Sequence, residues 1–218
     1  MSVLLDCGPG TLANLQRHLD LRALDAVVIT HCHPDHWVEL PVLRNVLKWV
    51  LRRGDAVPVF TTAETWAMAE VVSKDPMLDT FAPTIVRDGS DVRIGAQRWR
   101  FSRTDHPVET LAVRVDCEGR SFAFSSDTGP AWSLTSLVDG TGIDLALVES
   151  TFDDATYPGD VQHLTARLAA TMAAASDVRH LVLTHLMPGE DPVAHLTEAR
   201  ASFGGSVSVA VIDERYEA

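Results

Sequence analysis

Ala26-Val27-Val28-Ile29-Thr30-His31-Cys32-His33-Pro34-Asp35-His36-Trp37 runs from an unbroken apolar stretch straight into three histidines and an aspartate. Ala26 to Thr30 reads as a buried strand, and beyond the histidines Trp37, Leu40, Leu43, Leu47, Val50 and Leu51 recur at the spacing of a helix. The histidines therefore stand at a strand-to-helix corner. Imidazole and carboxylate are borderline and hard ligands suited to zinc. Six consecutive residues cannot all reach one tetrahedral ion comfortably. In an extended turn His31 and His33 can face one ion while Asp35 and His36 face a second. Cys32 then points away from the ligands on either side of it and reads as a packed thiol.

Outward from this corner the chain shows strand and helix signals in turn. Val3 to Leu5 is a short strand, followed by the turn residues Gly8-Pro9-Gly10 and an amphipathic segment from Thr11 to Leu19. Val57 to Thr61 reads as a strand, Ala63 to Ser73 as a helix, and Thr84 to Thr104 as a set of short strands ending just before His106. Leu111 to Asp116 and Ser121 to Ser125 form a hairpin that delivers Asp127, and Ile143 to Val148 is a buried strand that ends at Glu149. A helix from Leu164 to Ala175, a strand from Leu181 to Thr184, His185, a helix from Pro192 to Ser202 and a strand from Val207 to Ile212 complete the chain. The class is α/β, and every candidate ligand lies just past a strand, where site-bearing loops leave such scaffolds.

The 218 residues are enough for one domain, 1–218, and no repeat or linker divides them. A net charge of −12 opposes attraction to polynucleotide or anionic membrane, so long nucleic acid is a disfavoured partner. Two bound divalent cations would soften that repulsion where a phosphate sits. Three cysteines, Cys7, Cys32 and Cys117, are too sparse for a disulfide framework and suit a reducing cytoplasm. No apolar run approaches the roughly 20 residues of a membrane span, and the N-terminus lacks a signal peptide's pattern. A soluble, cytoplasmic protein is the expectation.

His31-Cys32-His33-Pro34-Asp35-His36 after an apolar strand resembles the signature of the metallo-β-lactamase superfamily. His106 in Thr104-Asp105-His106-Pro107, Asp127 in Ser125-Ser126-Asp127-Thr128-Gly129 and His185 in Leu183-Thr184-His185 match its further parts in order. The resemblance implies a four-layer αββα sandwich and two divalent ions, zinc first, with manganese or iron accepted by the same ligand types. By the same resemblance, His31, His33 and His106 hold one ion, Asp35, His36 and His185 the other, and Asp127 bridges them. Relatives begin with an additional strand that has no counterpart before Leu4-Leu5-Asp6, which implies an exposed edge on the first sheet.

Leu40-Pro41-Val42-Leu43, Glu149-Ser150-Thr151-Phe152 and His163-Leu164-Thr165 are similar to the ribonuclease Z and cyclic-nucleotide phosphodiesterase branch. That likeness implies phosphodiester hydrolysis, with His163 as general acid and Glu149 orienting it or a ligand; Asp35 joins them as a catalytic residue as well as a ligand. Val148 and Glu39 depart from ribonuclease Z, which has a histidine and a glycine at these points. A basic, Gly-rich arm is also missing. A small phosphodiester such as a cyclic nucleotide is therefore the expected substrate, ahead of a ribonuclease Z-like nuclease activity. Thioester, lactone or β-lactam hydrolysis is a rival within enzymes, and a silent metal-binding or interaction protein a rival outside them. The reading leaves room for a homodimer. His18, His180 and His195 lack partners in the pattern and read as surface or packing residues, Trp37 and Trp66 as core, and Arg44, Lys48 and Arg52 as a solvated helix face.

Overall fold

In the computed structural model, which describes residues 1–218, strand and helix alternate from the start. Met1–Arg87 form one compact unit and Asp88–Ala218 a second. The first holds β1 (Val3–Leu5), α1 (Thr11–His18), β2 (Ala26–Val28), α2 (Pro34–Trp37), α3 (Leu40–Asn45), β3 (Val57–Thr61), α4 (Ala63–Ser73) and β4 (Phe81–Ile85). Its four strands pair in chain order, all parallel, with β1 and β4 at the edges. Parallel strands are covered on both faces, which is why β2 is uninterrupted Ala-Val-Val with no exposure at any position. Leu43 and Leu47 from the helical side join Val27, Ile29, Val57, Val59 and Phe81 in one core.

The helix expected beyond the histidines is not continuous. α2 ends at Trp37, α3 starts at Leu40, and Val46–Val50 form a π turn. Two causes are visible. Pro41 has no N–H to continue the α ladder. The backbone of Cys7 occupies the break, its N–H donating to the His36 carbonyl at 2.6 Å and its carbonyl accepting from Glu39 N at 3.0 Å. Glu39 accepts from two amides at the start of α1, that of the N-cap residue Gly10 at 2.8 Å and that of Leu12 at 2.7 Å, and so caps that helix. Gly8 is required beside this bracket, because a Cβ there would lie 1.7 Å from the Asp35 carbonyl oxygen.

The second unit holds β5 (Asp91–Ile94), β6 (Gln97–Arg103), β7 (Leu111–Cys117), β8 (Arg120–Phe124), β9 (Ile143–Glu149), α5 (Ala166–Ala175), β10 (Val178–Thr184), α6 (Pro192–Ser202) and β11 (Ser206–Val209). Its seven-stranded sheet runs β11-β10-β9-β8-β7-β6-β5, antiparallel from β5 to β8 and parallel from β8 to β11. Register gathers the loops: Arg103 pairs Leu111, Phe124 pairs Leu147 and Glu149 pairs Thr184. His106, Asp127, Glu149 and His185 thus emerge at one end of one sheet. β10 begins at Val178, earlier than expected, because Val178 pairs Ile143; β11 stops at Val209, short of Ile212. α5 begins at Ala166, later than Leu164, because Leu164 N is bonded to Glu149 and Thr165 is the cap, its Oγ1 accepting from Leu168 N.

The basic helix face is also not what its spacing suggests. Arg44 is 1% exposed and donates to Asp79, the Pro76 carbonyl and Asn45 Oδ1, while Lys48 pairs with the same Asp79. The two cations fasten the helical segment to the turn before β4. Trp37 and Trp66 are core residues as expected, and Trp37 Nε1 donates to the Cys32 carbonyl at 2.7 Å.

Candidate metal centre

In the first unit, β1 and β2 end side by side, and Asp6 follows one as Thr30-His31 follows the other. Asp6 N donates to the Val28 carbonyl, Thr30 N to Asp6 Oδ1 at 2.8 Å, and Thr30 Oγ1 to Asp6 Oδ2 at 3.0 Å. A carboxylate only accepts, so the Thr30 proton is committed to Asp6 and Thr30 Oγ1 accepts from His31 Nδ1 at 3.1 Å. His36 Nδ1 donates to Asp6 Oδ2 at 2.7 Å. One carboxylate thereby fixes two imidazoles in the same tautomer, with Nε2 as the lone-pair nitrogen. The His31 ring centroid lies 5.0 Å from that of His33 and 4.1 Å from that of His36; Asp35 Oδ2 is 3.4 Å from His36 Nε2. The whole motif is therefore gathered at one corner. Asp35 is mostly exposed and His31 fully buried. Cys32 is buried, and burial followed by the charge of Glu64 pushes its thiol pKa up, as befits packing rather than ligation.

In the second unit the same tautomer logic recurs. His106 Nδ1 donates to the Gln162 carbonyl at 3.2 Å. Thr151 Oγ1 donates to Glu149 Oε2 at 2.8 Å, so it accepts from His185 Nδ1 at 2.9 Å and from His163 Nδ1 at 3.2 Å. His163 Nδ1 also donates to Glu149 Oε1 at 2.9 Å. Glu149 is fully buried and further accepts from Thr128 N and Leu164 N. Nε2 of His106 lies 3.9 Å from Asp127 Oδ2, and Nε2 of His185 lies 3.5 Å from Asp127 Oδ1. Asp127, His163 and His185 each offer a ligand atom within 4.8 Å of the others. The rings of His163 and His185 stack at 5.5 Å and 14°. Burial disfavours the His163 imidazolium, but the hydrogen bond and charge of Glu149 and the charge of Asp127 outweigh it, so its pKa stands above the ordinary histidine value.

Backbone strain accompanies both clusters: Asp6 (φ 59°), Ser126 (φ 51°) and His185 (φ 60°) are left-handed although none is glycine. Gly129 admits no side chain, since a Cβ there would meet Asp105 Oδ2 at 2.5 Å. Asp105 in turn accepts from Ala131 N and Gln162 Nε2 and so ties the loops around His106 and Asp127 together. The sequence reading missed Asp6, Thr30 and Thr151, which set the imidazole tautomers. Asp6 had a signal available, an isolated acid at the end of a strand. The two threonines had none.

Histidines and carboxylates on the loops beyond the strand ends of such sheets define a metallo-β-lactamase-fold protein, and the YhfI structure from Bacillus subtilis has this fold. It superposes with a TM-score of 0.86 over 99% of this chain and 87% of its own, at 22% identity. Residues 2–186 match the β-lactamase superfamily domain, and the chain belongs to that superfamily of hydrolases. It is 32% identical over 225 residues to the uncharacterised protein Rv1339 of Mycobacterium tuberculosis, covering 99% of this chain and 81% of that one. Over 241 residues it is 30% identical to ribonuclease Z of Mycobacterium marinum, covering 94% and 84% respectively.

Proposed function

We propose that this chain hydrolyses small phosphodiesters, with a cyclic nucleotide as substrate, in a reaction that requires two divalent ions. The observation that carries the reading is His163. Its Nδ1 is held by a buried carboxylate, its pKa is raised, and it stands beside Asp127 and His185. A histidine so held keeps its proton to higher pH than an ordinary imidazole, which suits protonation of a departing ester oxygen.

The donor set fits divalent ions of the zinc type. His31, His36, His106 and His185 each have Nδ1 engaged as a donor, which leaves Nε2 as the nitrogen that binds metal. In the first unit His31, His33, Asp35 and His36 would hold metal, and in the second His106, Asp127 and His185. When bound, the ions lower the pKa of a water and offset charge on the phosphoryl oxygens. Asp35, the exposed member of the motif, would help hold an ion and stay open to solvent. Glu149 positions His163 and keeps its proton on the side facing the leaving oxygen.

The test compares cyclic AMP with bis-p-nitrophenyl phosphate, using zinc- and manganese-loaded protein and its His163→Ala variant. p-Nitrophenolate departs without a proton, so the variant should lose about 10²- to 10⁴-fold on cyclic AMP and much less on the activated ester. Equal losses on both would remove His163 from the acid role. Turnover of a lactone, thioester or β-lactam with neither phosphodiester touched would overturn the reading. Preference for a transfer RNA precursor would replace it with the nuclease activity carried in the name of the Mycobacterium marinum relative.

A further inference from the structure

Apart from the cluster around Asp127, the second unit holds another set of metal-type donors. Asp153, Glu190 and His195 each bring one ligand atom within 4.8 Å of the others. His195 is fully buried, and its Nδ1 lies 3.1 Å from the Asp191 carbonyl, an acceptor that obliges Nδ1 to carry the proton. Nε2 is therefore the lone-pair nitrogen. It is buried without a hydrogen-bond partner and points to Glu190 Oε2 at 4.0 Å. Two acceptors facing each other across that gap repel. A proton on Nε2 would not join them, because 4.0 Å is too long for a hydrogen bond. Two metal–ligand bonds of about 2.0 to 2.2 Å span such a gap.

We propose that Asp153, Glu190 and His195 form a third divalent-cation site, of zinc or manganese type, separate from the proposed two-ion centre. One imidazole and two carboxylates make a mixed set that such ions accept, and the two carboxylates balance the double charge. Water completes the shell, since Asp153 and Glu190 are only partly buried. The cluster is preorganised by Thr156, whose hydroxyl lies 3.0 Å from Glu190 Oε2 and 3.1 Å from Asp153 Oδ1. Glu190 and His195 lie beyond residues 2–186, the stretch matched by the superfamily domain.

Its placement gives it a role. Asp153 belongs to the loop that runs from Glu149 to His163, and Glu190 to the loop that starts at His185. The two loops are already joined where Met187 N donates to the Thr151 carbonyl. A cation between them fixes the loop bearing His163 against the loop bearing His185. It is a structural staple, and its loss loosens both histidines without removing either.

Zinc content of the metal-reconstituted protein tests this, measured for the wild type, Glu190→Gln, Asp127→Ala and the double variant. Glu190→Gln is nearly isosteric and should bind one equivalent fewer than the wild type. Asp127→Ala should keep one equivalent that the double variant loses. In Asp127→Ala, zinc should also raise the thermal midpoint by several degrees and shift the ¹⁵N resonance of His195 Nε2. Both responses should be absent from the double variant. Equal zinc content in the wild type and Glu190→Gln, with a His195 resonance that zinc does not move, would overturn the proposal and leave the trio as an ordinary polar cluster.

Discussion

Asp6 carries more of the candidate centre than its place outside the histidine motif suggests. It accepts from Thr30 and from His36 Nδ1, and through Thr30 it orients His31. Asp6→Asn puts an amide in place of a pure acceptor and disturbs both tautomers, so zinc affinity should fall about 10- to 100-fold. Chelator competition measures it, and affinity equal to wild type would show that the tautomers are set elsewhere. His163 makes a pH prediction at the same scale. Its acid form is present below its raised pKa and lost as pH rises through it, so cyclic-nucleotide turnover should fall on the alkaline side of that value. In Glu149→Gln the falling limb should move to lower pH; an unmoved limb would assign the titration to another group. At this scale the sequence was most legible where residues stand next to each other. His31, His33, Asp35 and His36 announce themselves within six positions, whereas Thr30 and Thr151 act through hydroxyls that no pattern distinguishes from packing. His195 carried no local signal for the same reason: the partners proposed for it lie 5 and 42 positions away, in a loop and at a strand exit.

At the scale of elements, apolar spacing located most strands and helices, and β3, α4 and α6 fall where the pattern puts them. The pattern failed where backbone bonds from elsewhere intervene. Cys7 divides the helix after the histidines, and Glu149 delays α5 by taking the Leu164 amide. It failed too at Arg44 and Lys48, because charge spacing does not show that Asp79 lies opposite. That triad makes its own prediction. Hydrogen bonds from Lys48, Thr80 and Arg44 hold the Asp79 carboxyl at about 2, below the ordinary carboxylate value. A depressed carboxylate pKa contributes stability above the ordinary value, and that contribution disappears as pH falls toward about 2. Asp79→Asn should therefore lower the thermal midpoint at neutral pH and flatten its fall between about pH 4 and 2. Parallel acid profiles for the two proteins would contradict this.

For the molecule as a whole, each unit has its own apolar core and sheet, one all parallel and one mixed, and the α/β class was readable from the alternation alone. The superfamily was legible from motifs spread over most of the chain. The sheet order was not, because long-range register leaves no local trace. Ions that bind only the folded chain stabilise it by mass action, about 2.7 kcal/mol at a free concentration 100 times Kd. Stripping metal with a chelator should therefore lower the calorimetric midpoint by several degrees, and zinc should restore it. A midpoint indifferent to chelator would mean that the histidines do not hold ions in the folded protein.

The bracket at Cys7 sets opposite mutational tolerances on two neighbouring residues. Position 7 grips the histidine corner through its main chain while its side chain packs in the apolar core, so a saturation library should accept small apolar residues that retain an amide hydrogen and should lose proline. Position 8 must leave the space beside the Asp35 carbonyl empty, and the library should return glycine there almost without exception.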